Sequence, residues 1–78
     1  MKWYVYFNYP YPEQLGDCYD SLEDAIAAVK AEGIPKWNVL IQSEGFGIGG
    51  CHRAVWSGNR REWVNKRTGS TIEQEGWV

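Results

Sequence analysis

One segment of the sequence carries a full set of helix signals, and it restricts the fold more than any other feature. Ser21 precedes an acidic turn, where its hydroxyl can accept a hydrogen bond from an unpaired backbone N–H. Gly33 suits the left-handed residue that follows a helix, and Pro35 prevents continuation. Apolar side chains recur between these ends at helical spacing, at Leu22, Ala25, Ile26 and Val29. We therefore predict one helix between Ser21 and Gly33.

The rest of the chain consists mainly of short runs of β-forming residues. Residues 2–8 alternate apolar side chains with tyrosines and polar residues, which is typical of a strand with two different faces. Residues 9–20 are expected to form a loop, because Pro10 and Pro12 remove backbone donors. Further strands are predicted over residues 37–43, 51–57, 61–65 and 70–74, the first of them buried from Trp37 onward. The predicted fold class is α+β, with one helix packed on a four- to five-stranded, mainly antiparallel sheet in the order β-α-β-β-β-β.

A glycine-containing turn determines which side chains of the 51–57 and 61–65 strands face each other. Residues 58–59, a Gly-Asn pair, tolerate positive φ, so Ser57 and Arg60 are expected to close a two-residue hairpin turn. Trp56 then lies opposite Arg61, and the period of two assigns every other side chain of the hairpin to a face.

The two faces of the predicted sheet differ in polarity. The more apolar face, expected to pack on the helix, receives Ala54 opposite Trp63, with Trp56, Ile72, Trp3, Val5 and Phe7. Tyr4 and Tyr6 are left on the other face beside Arg53. Because a single helix cannot cover both faces, the sequence predicts an open platform of aromatic rings and charge.

Length and composition limit what such a fold can contain. The chain has 78 residues, of which 44% are hydrophobic and 23% charged, and it includes five Trp, five Tyr and two Phe. These values are typical of one globular domain, residues 1–78, and they exclude a disordered or collagen-like chain. The apolar start at residues 3–7 is too short for a signal peptide or a membrane span. We therefore expect a cytoplasmic protein that does not interact with membranes.

The two cysteines are too few for a disulfide-stabilised secreted domain of this size. We expect Cys18 and Cys51 to be reduced thiols, although a Cys18–Cys51 bridge stays open as an alternative. Cys51 and His52 are neighbours in a predicted strand, so their side chains point to opposite faces and cannot act as a catalytic pair. No cysteine–histidine spacing typical of zinc occurs. The sequence predicts neither an enzyme nor a bound metal or cofactor.

Two groups of residues are candidates for contacting a macromolecule. Phe46 and Ile48 place apolar side chains on a glycine-rich connection, where they can serve as partner anchors or fold back over the core. Basic residues concentrate in the second half of the chain, at Arg53, Arg60, Arg61, Lys66 and Arg67. Acidic residues at 62, 73 and 75 interleave with them, which favours a solvated, mixed-charge surface over a phosphate track.

In size, aromatic content and one-helix-on-sheet plan, the chain resembles the small proteins that phages encode against host defences, anti-CRISPR inhibitors among them. The resemblance implies inhibition by steric block of a host protein or ribonucleoprotein complex in the host cytoplasm. The sequence leaves monomer and homodimer both open. The alternative is a nucleic-acid-binding module that uses Tyr4, Tyr6 and the basic residues named above. Both readings use Tyr4, Tyr6 and Arg53 on the face opposite the helix, together with the basic turn residues; the first also includes Phe46 and Ile48.

Overall fold

Five strands form one antiparallel sheet in the order β2-β1-β3-β4-β5. The computed structural model describes residues 2–8, 11–44 and 51–77. Its elements, in chain order, are β1 (Trp3–Phe7), β2 (Glu13–Tyr19), α1 (Leu22–Glu32), a short 3-10 helix (Lys36–Asn38), β3 (Val39–Ser43), β4 (Arg53–Ser57), β5 (Glu62–Asn65) and α2 (Ile72–Glu75). The predicted α+β class, with one main helix on a five-stranded antiparallel sheet, is confirmed. In the described residues no helix is long and apolar enough to cross a membrane.

The ends of α1 lie where the sequence signals predict them. The Ser21 hydroxyl accepts a hydrogen bond from the Asp24 N–H at 3.0 Å. Gly33 adopts the left-handed conformation with φ 69°, and its N–H donates to the Lys30 carbonyl. The Ile34 N–H donates to the Val29 carbonyl at 3.3 Å, which completes the C-terminal cap.

We expect Ser21→Ala to lower the free energy of unfolding by about 1 kcal/mol, because one helix-terminal N–H loses its partner. Gly33→Val should cost more, since a β-branched residue is strained at positive φ. Gly58→Val is the matched control: Gly58 is not among the glycines with positive φ, and an added Cβ would meet nothing within 4 Å. Chemical denaturation measures all three midpoints. A Gly33→Val midpoint equal to that of Gly58→Val would contradict the assigned helix end.

Both helices pack on the same face of the sheet, which we call the inner face. The buried apolar residues of this core are Trp3, Val5, Leu22, Ala25, Val29, Val39, Ile41, Ala54, Trp63 and Ile72. Trp56 and Phe7 pack against that cluster while remaining partly exposed. The predicted assignment of apolar side chains to the helix-covered face is therefore confirmed.

The expectation of a loop over residues 9–20 is wrong, because Glu13–Tyr19 forms the edge strand β2. Leu15 lies opposite Val5 and Tyr19 opposite Trp3, so three residues of β2, positions 16–18, fall where β1 has only Tyr4. Gly16, with φ 64°, makes this bulge possible. The irregularity removes the period of two that identifies a strand in sequence, and it changes the predicted element order.

The β4–β5 turn is two residues longer than predicted. Ser57 lies opposite Glu62 instead of Arg60, and the loop covers residues 58–61 with Arg61 at φ 56°. Trp56 consequently faces Trp63 instead of Arg61. Ala54 lies opposite Asn65 instead of Trp63. A shift of two residues preserves the alternation, so the side chains still fall on the predicted faces.

The strand predicted at residues 70–74 is instead the short helix α2. Thr71 caps it: its hydroxyl accepts from the Gln74 N–H at 3.1 Å, and the Gln74 side chain accepts from the Thr71 N–H at 2.9 Å. Thr71 also forms an isolated antiparallel bridge with Val64, the only remnant of strand pairing in this described segment. This reciprocal capping box outweighs the β-propensity of Thr71 and Ile72.

Candidate binding surfaces

The side of the sheet opposite the helices, here called the outer face, brings together three of the predicted site residues. Tyr4 lies opposite Gln42, and Gln42 lies opposite Arg53. The Arg53 Nε–H donates to the Gln42 Oε1 atom at 3.1 Å, which ties the row together. Tyr6 occupies the next position of β1 on the same face. The predicted juxtaposition of Tyr4, Tyr6 and Arg53 on one face is therefore present.

An apolar row lies beside this polar row. Tyr6 is paired with Leu40 across β1 and β3, and Val55 with Val64 across β4 and β5. Tyr6, Leu40 and Val55 are only partly buried, whereas Val64 at the end of the row is buried, as are the inner-face side chains Val5 and Ile41. The outer face thus presents apolar and aromatic surface to solvent.

Trp37 extends this surface, contrary to the expectation that it lies in a buried strand. It belongs to the 3-10 helix before β3, and 72% of the residue is exposed. Tyr6, Trp37 and Leu40 line one shallow cavity of about 270 Å³. The 3-10 helix interrupts the alternation that would have turned Trp37 inward with Val39.

The outer face has no helix packed against it in the described part of the chain. The α1 side chains Leu22, Ala25 and Val29 belong to the inner core, and so does Ile72 of α2. Trp77, which follows α2, contacts the inner-face residue Trp3 with ring centroids 6.0 Å apart. The chain after β5 therefore also returns to the inner side.

The predicted basic cluster divides into two groups. Arg53, Lys66 and Arg67 line one cavity of about 300 Å³, together with His52, Asn65 and Trp77. We call this the basic cavity.

Arg60 and Arg61 do not line the basic cavity. The Arg60 guanidinium lies 3.4 Å from Glu62 and donates to the Gly69 carbonyl at 3.1 Å. Arg61 is exposed in the 58–61 loop, at the end of the β4–β5 hairpin opposite Arg53. Phe46 and Ile48 lie outside the described residues.

Asn65 organises the turn that carries Lys66 and Arg67. It is 7% exposed, and its Oδ1 atom accepts from the N–H groups of Arg67 at 2.8 Å and Thr68 at 3.3 Å. Its Nδ2 group donates to the Glu75 Oε1 atom at 2.7 Å. The side-chain amide therefore connects the turn to α2, because its oxygen binds the turn and its nitrogen binds Glu75.

Glu75 remains charged in this network. The hydrogen bond from the Thr68 hydroxyl and the one from Asn65 lower the pKa of the Glu75 carboxyl, and the positive charge of Arg67 adds to the effect. Because this pKa is lower in the folded than in the unfolded state, the interaction stabilises the fold at neutral pH. It is lost as the pH falls through the lowered pKa.

The aromatic wall of the basic cavity could not be identified from the sequence. The rings of His52 and Trp77 lie 4.5 Å apart, and His52 also stacks on Trp3 at 6.3 Å. The His52 N–H donates to the Ser43 hydroxyl at 2.8 Å, just before β4 begins. The contact joins residues 25 positions apart in sequence, and no periodicity signals it.

The two cysteines are free thiols in the structure. Cys18 is exposed on the bulged edge strand, and Cys51 is partly buried beside the basic cavity. Among residues 2–8, 11–44 and 51–77, no three His, Cys, Asp or Glu side chains are grouped so that they could hold a metal ion.

Comparisons of the chain with known protein families, curated proteins and solved structures found no match. The geometry of the outer face and of the basic cavity is therefore what bears on function.

Proposed function

We propose that this chain is a non-catalytic binding protein that acts by covering a surface of a macromolecular partner with its outer face. One observation carries the proposal: Tyr4 and Tyr6 lie on a sheet face that no described helix covers, and the strongly exposed Trp37 lines a cavity with Tyr6 at the edge of that face. Large aromatic side chains with part of their surface in solvent are the residues that most often dominate binding energy at interfaces.

The composition of the outer face favours a protein surface as the partner. Tyr6, Leu40 and Val55 supply apolar area, while Gln42 and Arg53 supply polar groups at one side of it. An apolar centre with a polar rim is the usual arrangement of a protein interface. Arg53 favours a partner with a carboxylate at the matching edge.

A nucleic acid fits the outer face less well. Binding a strand of phosphates requires cations repeated along a track, and β1 and β3 contribute no basic side chain to this face within Trp3–Phe7 and Val39–Ser43. The tyrosines can stack on bases, but the electrostatic part of such binding is missing there.

Occlusion is the action that such a surface supports, since the outer face offers anchors without a catalytic set. This is how a small phage-type inhibitor, such as an anti-CRISPR protein, would block a host defence complex. We propose that class of role for the chain, with a host protein or ribonucleoprotein complex as the partner.

The test compares variants of the outer face on a partner isolated by affinity capture. We expect Tyr6→Ala and Trp37→Ala each to weaken binding by about 2 kcal/mol, or roughly 30-fold, because each removes an aromatic anchor. Lys30→Ala is the matched control, since Lys30 is exposed on α1 and lies across the sheet from the outer face. Calorimetric titration gives the dissociation constants.

Salt dependence distinguishes the two partner classes in the same experiment. Binding through apolar and tyrosine surface should change little between 50 and 200 mM salt, values chosen to span the range over which phosphate contacts weaken strongly. A steep fall in affinity with salt would assign the partner to nucleic acid instead. Equal affinities of Tyr6→Ala, Trp37→Ala and Lys30→Ala would remove the outer face from the binding site.

A further inference from the structure

We propose that the basic cavity binds a small phosphate monoester that carries an aromatic or heteroaromatic ring. The cavity lies at the end of β4 and β5, and apart from Arg53 its side chains are not those of the outer face. The two proposed sites share Arg53, and the residues that test them are different: Lys66 and Arg67 here, Tyr6 and Trp37 for the partner surface.

Three basic side chains, those of Arg53, Lys66 and Arg67, line this cavity, and few acidic groups pair with them. Lys66 and Arg67 form no ion pair within residues 2–8, 11–44 and 51–77. Arg53 has one described hydrogen bond, from Nε to Gln42, which leaves its terminal N–H groups for a ligand. Guanidinium and ammonium groups around one concave site are typical partners of a phosphate.

The carboxylate of Glu75 does not compensate these cations fully. Its Oε1 atom accepts from both Asn65 and Thr68, at 2.7 Å each. Glu75 therefore serves the hydrogen-bond network of the turn, and of the three cations only Arg67 is electrostatically coupled to it. The positive charge that Glu75 does not neutralise would attract a dianion to the cavity.

The turn that presents Lys66 and Arg67 is held in place before any ligand arrives. The Asn65 Oδ1 atom accepts hydrogen bonds from two backbone N–H groups of the turn. The Lys66 N–H donates to the Arg53 carbonyl at 2.9 Å. Cations held by a fixed backbone lose less conformational freedom on binding, which raises affinity for a matching anion.

The dimensions and walls of the cavity favour a compact ligand over a polyanion. Its volume of about 300 Å³ lies at the lower end of the range for small-molecule sites. The indole of Trp77 supplies an apolar wall beside the cations. The neighbouring Arg60 is already bonded to Glu62 and to the Gly69 carbonyl, so the basic charge does not continue as a track.

The experiment is an NMR titration of the full chain with phenyl phosphate, following backbone amide and tryptophan indole signals. We expect saturable shifts centred on residues 51–53, 65–67 and 77. Lys66→Gln and Arg67→Gln should each weaken this binding about tenfold, because each removes one charge-assisted contact. Arg61→Gln is the matched control, since Arg61 is exposed and lies at the other end of the hairpin. Tyr6→Ala should also leave the titration unchanged.

Two further probes identify the source of the phosphate. Inorganic phosphate should bind more weakly than phenyl phosphate, since it lacks a ring to pack on Trp77. Adenosine monophosphate binding more tightly than phenyl phosphate would indicate a nucleotide, and the reverse order would indicate an aryl phosphate.

The proposal fails if phenyl phosphate produces no saturable shift, or if Arg61→Gln weakens binding as much as Arg67→Gln. It also fails if a single-stranded oligonucleotide binds and loses affinity equally with both of those variants, because the cations would then act as a diffuse track.

Discussion

Trp63→Ala is expected to leave most of the protein unfolded at 25 °C. Trp63 is 8% exposed in the core, packs edge-on against Trp56 with ring centroids 5.6 Å apart, and adjoins Ile72. Truncating a core tryptophan costs about 3 to 5 kcal/mol. A single core in a chain of this length rarely supplies more than about that amount in total. Near-ultraviolet circular dichroism and urea denaturation would measure the loss.

Tyr6→Ala is the control, since it removes an aromatic ring from the opposite face of the same sheet. Tyr6 is only partly buried, so we expect its loss to cost about 1 kcal/mol and to leave the fold intact. If Tyr6→Ala destabilises as much as Trp63→Ala, the outer face is buried in solution, most simply between two copies of the chain. The partner surface would then move to Phe46, Ile48 and the basic turns.

The helix α1 could be predicted because its signals are local. The Ser21 cap, the apolar spacing and Gly33 all act within a few residues of one another, and no distant contact competes with them. The two faces of β1 could be predicted for the same reason, since alternation is a property of the strand itself. These two elements already place Tyr4 and Tyr6 across the sheet from α1.

The two elements that were predicted wrongly have either irregular geometry, as in β2, or competing helix and strand signals, as in α2. β2 is interrupted by the bulge at Gly16, which conceals its alternation, and its residues look like a loop. At the end of the chain, β-forming residues at 71 and 72 indicated a strand, but the Thr71–Gln74 capping box was the stronger signal. A serine or threonine followed three residues later by glutamine could have revealed α2.

In the candidate sites, too, the features set by local pattern were predicted and those set by irregular or long-range geometry were not. The row of Tyr4 and Arg53 follows from strand parity, which survives the two-residue error in the hairpin register. Trp37 was missed because the 3-10 helix over Lys36–Asn38 breaks that parity directly before β3. The ring contact between His52 and Trp77 forms only because α2 returns the chain to the inner face, and this depends on long-range packing that no local pattern signals.

Asn65→Ala is the second change with a large expected effect. It deletes the acceptor of the Arg67 and Thr68 N–H groups and the donor to Glu75, in a residue that is 7% exposed. At about 1 kcal/mol net for each of these hydrogen bonds, we expect a loss of about 3 kcal/mol. Urea denaturation measures it, and Lys66→Ala, an exposed neighbour, is the control.

Adding a charge at the Asn65–Glu75 contact tests whether the stability lost in Asn65→Ala comes from the hydrogen bonds or from the removed side-chain volume. Asn65→Asp keeps the acceptor for the turn but sets a second carboxylate against the Glu75 Oε1 atom, which lies 2.7 Å from the present Nδ2 group. Two carboxylates at that distance repel, so the pKa of the pair rises in the folded state. The variant should be least stable at neutral pH and recover relative to the native chain as the pH falls, because the shared proton then restores a donor.

Adding Glu75→Gln to Asn65→Asp returns an amide donor to the contact from the other side. The double variant should therefore regain most of the stability that Asn65→Asp loses at neutral pH, and its acid dependence should be weaker. If Glu75→Gln instead destabilises the Asn65→Asp background by as much as it destabilises the native chain, the two side chains are not coupled. The turn that carries Lys66 and Arg67 would then be held without a contribution from Glu75, by the side chain of residue 65 and by backbone hydrogen bonds such as that from the Gly69 N–H to the Asn65 carbonyl at 2.8 Å.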